Sequence, residues 1–212
     1  MSRFRDPRRL PIDWDRPRLF FAIPLSVEAR DAIAGLAERV RLSVDGVRAR
    51  WVRFEGLHLT LQFLGATPDE AVPELREALV DVAAGRRPFE IGLGGAGAFP
   101  SPARPRTLWV AVTAGGDAVT ELAEAVAADR RVAPHVPARP GNHDGAVERF
   151  APHLTIARTD GVAGAPRLAA ALQAEAAELD VRFAADRLVL YRSVLGEGRA
   201  RYEPLAEAQL GG

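Results

Sequence analysis

The chain of 212 residues contains no cysteine and no lysine, and all 28 of its basic residues are arginine. The lack of cysteine excludes thiol nucleophiles, disulfide bonds and zinc sites with cysteine ligands. The lack of lysine excludes Schiff-base chemistry, a nucleotidyl-lysine intermediate and any phosphate-binding loop that depends on lysine. Catalysis must therefore rely on the side chains of His, Asp, Glu, Tyr, Ser, Thr or Arg.

Long apolar runs are also lacking, and none is long enough to cross a bilayer. Residues 1–17 are polar, rich in arginine and interrupted by proline, without the apolar core of a signal peptide. We expect them to form a flexible arm, for which RNA contact is an alternative to a purely solvated role. Together with the lack of cysteine, these features favour a cytoplasmic protein without membrane attachment.

An excess of charge of one sign is missing as well, because 28 basic and 28 acidic residues give a net charge of zero. This balance argues against a broad polyanion-binding surface. A nucleotide-sized ligand or an RNA end stays compatible with it, since the total does not report local charge. The length suits one large domain or two small lobes, and we expect residues 18–212 to form a single bilobal domain.

One tripeptide, His-Leu-Thr, occurs twice in the chain, at residues 58–60 and 153–155. Both copies lie in runs typical of β-strands. Because side chains i and i+2 of a strand point to the same face, each histidine should share a face with its own threonine. The sequence thus predicts two matched pairs of an imidazole and a hydroxyl, one in each half of the chain.

Chance is a poor explanation of the repeated tripeptide. With seven threonines in 212 residues, a given histidine has about a one in thirty chance of a threonine two places on. For two of the four histidines to have one by accident is below roughly one per cent. A lone histidine on a strand is more often structural, but the doubled motif favours function. Two imidazoles are the groups that acid–base cleavage of a phosphate ester uses.

Strand-like and helix-like segments follow one another in an order that suggests two related halves. The first half has an apolar strand, a helix capped by Ser26, the first motif strand and a helix with Thr67 as its N-cap. The second half has strand 106–112, a helix, the second motif strand, a helix reaching Leu179 and late strands. Residues 131–148, rich in Pro and Gly, predict a long loop. Each half should supply one sheet covered by two helices, with both motifs facing a cleft.

The residues around the motifs resemble the two-histidine (2H) phosphoesterase superfamily, most closely its RNA 2′,3′-cyclic phosphodiesterase (2′-5′ RNA ligase-like) branch. The similarity covers most of the chain from Arg18 onward and is carried by Trp51 and by segments 18–23, 57–65, 106–110 and 150–158. It implies an α+β fold with two lobes: two pseudo-symmetric antiparallel or mixed sheets, outer helices and a central cleft that holds both motifs. It also implies that no metal and no organic cofactor is needed.

The resemblance assigns roles to five positions. His58 and His153 match the catalytic pair, Thr60 and Thr155 match the threonines beside them, and Arg158 matches a basic residue after the second motif. We expect His153 to accept a proton from water and His58 to donate one to the departing 3′ oxygen, which leaves a 2′-phosphate; the reverse assignment of the two roles is the alternative. The threonines and Arg158 would bind phosphate oxygens. For Arg158, a structural salt bridge is an equal alternative.

Other readings of the sequence stay open. The substrate, an RNA end or a small cyclic nucleotide, could instead be another cyclic or 2′-5′ phosphodiester, and the reverse reaction would make the protein a 2′-5′ RNA ligase. A non-catalytic module that binds RNA ends is the alternative from another class. A metal site built from His135, His143, Asp144 and one motif histidine has little support from their spacing. We expect a monomer, with Trp51, Trp109 and Tyr191 in the core rather than stacked on bases.

Overall fold

The computed structural model describes residues 18–137, 150–195 and 200–211. Within these ranges the chain forms four α-helices and nine strands. The helices are Val27–Ser43 (α1), Val72–Ala84 (α2), Gly116–Ala128 (α3) and Ala165–Glu175 (α4). The strands are Arg18–Pro24 (β1), Arg50–Trp51 (β2), His58–Ala66 (β3), Phe89–Phe99 (β4), Thr107–Ala114 (β5), His153–Arg158 (β6), Val181–Ala185 (β7), Arg187–Leu195 (β8) and Ala200–Gln209 (β9). The expected arm at 1–17 and most of the expected loop at 131–148 lie outside the described residues.

The strands pair into two antiparallel sheets, which confirms the predicted α+β class. One sheet has four strands in the order β3-β1-β8-β9, and the other has five in the order β2-β6-β5-β4-β7. The prediction that each half of the chain supplies its own sheet is wrong. The four-stranded sheet joins the first two long strands to the last two, because β1 pairs with both β3 and β8. The middle of the chain builds most of the five-stranded sheet.

Two helices cover each sheet, as the sequence predicted. Helices α2 and α3 pack on strands of the four-stranded sheet, and α1 and α4 pack on strands of the five-stranded sheet. The burial of α1 follows its helical period, with buried residues spaced three or four apart: Ala29, Ile33, Leu36, Ala37 and Val40. The Ser26 hydroxyl accepts a hydrogen bond from the Ala29 amide at 3.1 Å, so the predicted N-cap is present.

Two helix boundaries differ from the prediction. Thr67 does not cap α2: its hydroxyl donates to the Gly65 carbonyl at 3.4 Å, and a 3₁₀ turn at Asp69–Ala71 precedes the helix. A second proline in the first turn of α2, Pro73, lacks an amide hydrogen and suits that position equally well, so the later start prevails. Helix α4 ends at Glu175, and Leu179 lies beyond it, partly buried against the core. Within the described ranges, no helix is both long and apolar enough to span a membrane.

Candidate active site

The two His-Leu-Thr motifs lie on strands that contact each other where the sheets meet. Strand β3 forms an edge of the four-stranded sheet, and β6 lies second in the five-stranded sheet. Along each strand the histidine and threonine are partly exposed, whereas the leucine between them is buried. Each histidine thus shares its face with its threonine, and the structure brings the two motifs to the junction of the sheets.

A β-bulge follows each motif at the same place. Three positions separate Thr60 from Phe63, but only two separate Ala22 from Phe20, the residues that pair with them on β1. In β6, Thr155 pairs with Trp109 and Arg158 pairs with Thr107, so the same extra residue is present. In a regular strand an odd spacing would turn the later side chain to the opposite face. The bulges instead return Phe63 and Arg158 to the faces of His58 and His153.

The two imidazoles make the same hydrogen bond. Nδ1 of His58 lies 2.6 Å from the Gly56 carbonyl oxygen, and Nδ1 of His153 lies 2.7 Å from the Ala151 carbonyl oxygen. A carbonyl oxygen can only accept, so Nδ1 carries a hydrogen in both rings. Nε2 is therefore the nitrogen that exchanges a proton in each histidine, and both rings are held in the same tautomer.

An aromatic cluster surrounds His58. Its ring stacks on Phe20 at 4.7 Å and lies 5.7 Å from Tyr191, and the Tyr202 ring meets it edge-on at 4.9 Å. Burial among these rings lowers the pKa of His58 from its ordinary 6.5 to about 4, although the hydrogen bond with Gly56 acts in the opposite direction. The free protein therefore carries a neutral His58 at neutral pH.

His153 has a smaller aromatic environment on the other sheet. The Phe99 ring meets it edge-on at 5.0 Å, and the Trp109 ring lies 6.3 Å away. Trp109 in turn covers Gly97 on β4, the residue that pairs with it. A Cβ at Gly97 would overlap the indole ring, so glycine at this position makes room for Trp109 beside β6.

The two-motif geometry agrees with the comparison to known proteins. The family model of the 2′-5′ RNA ligase superfamily matches residues 28–197 of the chain. The chain belongs to this superfamily. The match spans both motifs and every described strand except β1 and β9, which confirms the resemblance stated from the sequence.

Relatives of this superfamily member share the name RNA 2′,3′-cyclic phosphodiesterase. An RNA 2′,3′-cyclic phosphodiesterase of Aquifex aeolicus is 34% identical over 128 residues, 60% of this chain and 64% of that protein. One of Geobacillus stearothermophilus is 34% identical over 192 residues, 90% of this chain and 56% of that protein. The chain thus spans less than two thirds of these relatives' length. A crystal structure of a Thermus thermophilus protein has a TM-score of 0.69 and 28% identity, covering 92% of this chain and 98% of that one.

Arg158 of this superfamily member lies at the edge of the site. Its Nη1 donates to the Thr107 hydroxyl at 3.3 Å. Burial raises the pKa of Tyr202, and the positive charge of Arg158 acts in the opposite direction with a smaller effect. Since Tyr202 belongs to the other sheet and contacts His58, the charge of Arg158 acts between the two sheets. Across the described ranges Arg158 forms no ion pair with a carboxylate, as the alternative of a structural salt bridge would require.

The threonine hydroxyls are free to bind a ligand. Among the residues that the structure describes, neither Thr60 nor Thr155 uses its hydroxyl in a hydrogen bond. Both side chains are partly exposed. Each hydroxyl can therefore donate to an oxygen placed beside its histidine.

Sequence reasoning missed the rings around the histidines. The expectation of core packing holds for Trp51, which is 8% exposed, and is wrong for Trp109 and Tyr191, which are partly exposed and lie beside the histidines. A signal for Trp109 was present, because its strand alternates Leu108 and Val110 with less apolar neighbours. No comparable signal exists for Tyr191, because its position depends on the pairing of β8 with β1.

Metal ligands and enclosed cavities do not define the site. The described part of the chain contains no cluster of three His, Asp or Glu side chains able to hold a metal ion; His143 and Asp144 lie outside it. A cavity of about 700 Å³ is lined by the loop before β5 and the start of α4 rather than by either histidine. The motif face is assigned as the site because it carries the groups that can exchange protons.

Proposed function

We propose that the protein hydrolyses 2′,3′-cyclic phosphodiesters of RNA ends or nucleotides to 2′-phosphates, with His58 and His153 as the acid–base pair. The observation that carries this proposal is the matched pair of imidazoles, each held through Nδ1 by the carbonyl two residues earlier. The names of the relatives, RNA 2′,3′-cyclic phosphodiesterase, support it.

The reaction needs one proton removed and one supplied. Water attacks phosphorus and forms a P–O bond while the bond from phosphorus to the 3′ oxygen breaks. Nε2 of His153 accepts the proton of the water, and Nε2–H of His58 gives its proton to the departing 3′ oxygen. Because attack and departure are in line, the two groups must act from opposite sides of phosphorus, which suits histidines carried by two different sheets. Proton transfers of this kind contribute typically ~10²–10⁴-fold.

The low pKa of His58 bears on its role as the acid. An imidazolium with a pKa of about 4 is a stronger acid than ordinary histidine, but little of it exists at neutral pH. A bound phosphodiester carries a negative charge, which favours the charged imidazolium and raises this pKa. Substrate binding would then favour the protonated form of His58, which is the form that donates the proton.

Three further side chains would bind the substrate's phosphate. The hydroxyls of Thr60 and Thr155 donate to the non-bridging phosphoryl oxygens, and Arg158 supplies a positive charge near them. Phe63, which is 55% exposed on the same face as His58, offers an apolar surface to the nucleoside. The proposal includes a monomer, because one chain supplies both histidines. It also includes a location in the cytoplasm.

The proposal is tested with 2′,3′-cyclic AMP and the purified protein. The wild type should convert it to 2′-AMP, identified by ³¹P NMR, and His58→Ala and His153→Ala should each lose at least about 10³-fold in turnover. His135→Ala, a histidine outside the motifs, is the control and should keep full activity. No turnover by the wild type, or near-normal turnover by His58→Ala, would contradict the proposal.

Metal independence is part of the same proposal. The scheme uses only side chains to move protons and bind the phosphate, so EDTA should leave the rate unchanged. A rate that falls with EDTA and returns when a divalent cation is added in excess would overturn this part of it.

The two histidine roles are separated by a substrate whose 3′ oxygen is replaced by sulfur. A thiolate, with a pKa of about 8.5 for its thiol, leaves without being protonated. His58→Ala should therefore recover most of its activity on the sulfur substrate, whereas His153→Ala should not. Recovery of His153→Ala alone would exchange the two roles.

A further inference from the structure

A groove of about 560 Å³ begins at the end of β6 and runs along β2 and the end of α1. Four arginines line it, Arg41, Arg48, Arg50 and Arg158, against only two acidic residues, Asp45 and Asp160. Four positive and two negative charges leave it with a local charge of +2, in a chain whose net charge is zero. We call it the arginine groove.

The arginines of the groove are weakly engaged. Arg48 is exposed and has neither a hydrogen bond nor an ion pair within the described ranges. Arg50 pairs with Asp160 at 2.7 Å, but both side chains are more than half exposed. Arg41 lies 3.5 Å from Glu38 in an exposed pair. Exposed ion pairs of this kind contribute about 0–1 kcal/mol, so an anionic ligand can replace them.

The groove is continuous with the site through Arg158. This residue pairs with Arg50 across the two strands and lies five positions from His153, or about 15 Å along β6. The bulge in β6 turns Arg158 to the face of His153. An extended ligand bound at the motifs therefore reaches Arg158 first and the other three arginines next.

The corresponding end of the first motif strand has a different chemistry. Phe63 stands there in the place of Arg158. The nearby Arg192 is already paired with Asp69 at 2.7 Å. Among the described residues, the end at Arg158 leads to four arginines, whereas the other end presents Phe63 and the Arg192–Asp69 pair, so the greater positive charge lies at the Arg158 end.

We propose that the arginine groove binds the phosphate backbone of the RNA strand that ends in the cyclic phosphate, on the 5′ side of the scissile group. Arginine suits this role because its planar guanidinium bonds phosphate oxygens in pairs. The inference rests on the proposed function, since that function places the 3′ end of the strand at the histidines. It makes an RNA end, rather than a free mononucleotide, the preferred substrate.

The test compares two double variants with equal loss of charge. Arg41→Gln/Arg48→Gln removes charge from the groove, and Arg86→Gln/Arg87→Gln removes it from the exposed loop between α2 and β4. Binding is measured by fluorescence anisotropy with a 5′-labelled oligoribonucleotide that ends in a 2′-phosphate. The groove variant should bind roughly tenfold more weakly, with the slope of log K against log salt reduced by about 1.4; the loop variant should stay within about twofold.

The kinetic arm uses the same variants with an oligoribonucleotide and a mononucleotide that both carry the cyclic phosphate. The groove variant should lose roughly tenfold in kcat/KM on the oligoribonucleotide and at most about twofold on the mononucleotide. Equal losses on both substrates, or equal binding by both double variants, would overturn the groove proposal. If the wild type hydrolysed neither substrate, the proposed function would fail, and the binding measurement would still decide the groove.

Discussion

His58 and His153 make the same hydrogen bond but stand in different surroundings. Three aromatic rings shield His58 from water, whereas His153 has an edge-on contact with Phe99 and a more distant Trp109. The same hydrogen bond from Nδ1 to a backbone carbonyl fixes the tautomer of both rings. The two histidines therefore differ in the aromatic side chains that bury them. A pair of titratable groups with unlike environments is the arrangement from which separate acid and base roles arise.

The first prediction concerns the titration of His58. Burial disfavours the imidazolium, so NMR of the free protein should give His58 a pKa of about 4, below its ordinary 6.5. Tyr202→Ala removes one shielding ring and should raise the pKa, because water then stabilises the charged form. The matched change Phe99→Ala alters the ring beside His153 and should leave the pKa of His58 where it was. A wild-type pKa near 6.5 would contradict the desolvation argument.

The second prediction concerns the threonine hydroxyls. Thr60→Val and Thr155→Val each remove one proposed donor to the phosphoryl oxygens and should lower turnover by about 10²-fold. Neither hydroxyl has a partner among the described residues, so Tm should change little. Thr60→Ser and Thr155→Ser keep the hydroxyl and should keep most of the activity. Full activity in both valine variants would remove the threonines from the mechanism.

At the scale of elements, strand alternation was enough to place each histidine with its threonine. It was not enough for the residues beyond them. Regular alternation counted from His153 puts Arg158 on the opposite face, and only the bulge between Thr155 and Arg158 restores it. The sequence of neither motif strand indicates its bulge, because the position of the bulge is set by pairing with β1 or β5.

The third prediction concerns the support of β6 by its neighbours. In Gly97→Ala the new methyl group overlaps the Trp109 ring, which must move away from its place beside His153. We expect a lower Tm and roughly tenfold lower turnover, since displaced packing next to a catalytic group disturbs its position. Trp109→Leu in the same chain should restore part of the Tm.

Gly35→Ala in α1 is the control for this substitution. Its Cβ would meet only the Arg39 side chain at an ordinary 3.7 Å, so alanine should stabilise the helix by about 0.5–1 kcal/mol. Unchanged Tm and turnover in Gly97→Ala would mean that Trp109 does not support the site.

At the scale of the whole molecule, the sequence predicted the class and most elements but not which strands share a sheet. Apolar periodicity marks β1 and β8 as strands, yet nothing local shows that they pair across most of the chain. This pairing places Tyr191 opposite Phe20, and with Tyr202 it builds the shell around His58. The environment that sets the pKa of His58 therefore depends on long-range topology, whereas the motifs are local and could be found directly.

The same topology places one motif on each sheet, where the two sheets meet. Strands β3 and β6 contact each other at the junction, and the charge of Arg158 reaches Tyr202 on the opposite sheet. The central claim is that both histidines engage the same phosphate, one from each sheet. Loss of activity in single variants does not test this directly, because it shows that each histidine is needed without showing that both contact the same phosphate.

An NMR titration of the wild type with 2′-AMP, following the imidazole signals of His58 and His153, tests this claim most directly. The account predicts that both signals shift along one binding curve with a single Kd. It also predicts that the pKa of His58 is higher in the complex than the value of about 4 in the free protein. His135, which lies outside the motifs, should not respond. A response from only one of the two motif histidines, or two curves with different Kd values, would contradict the account.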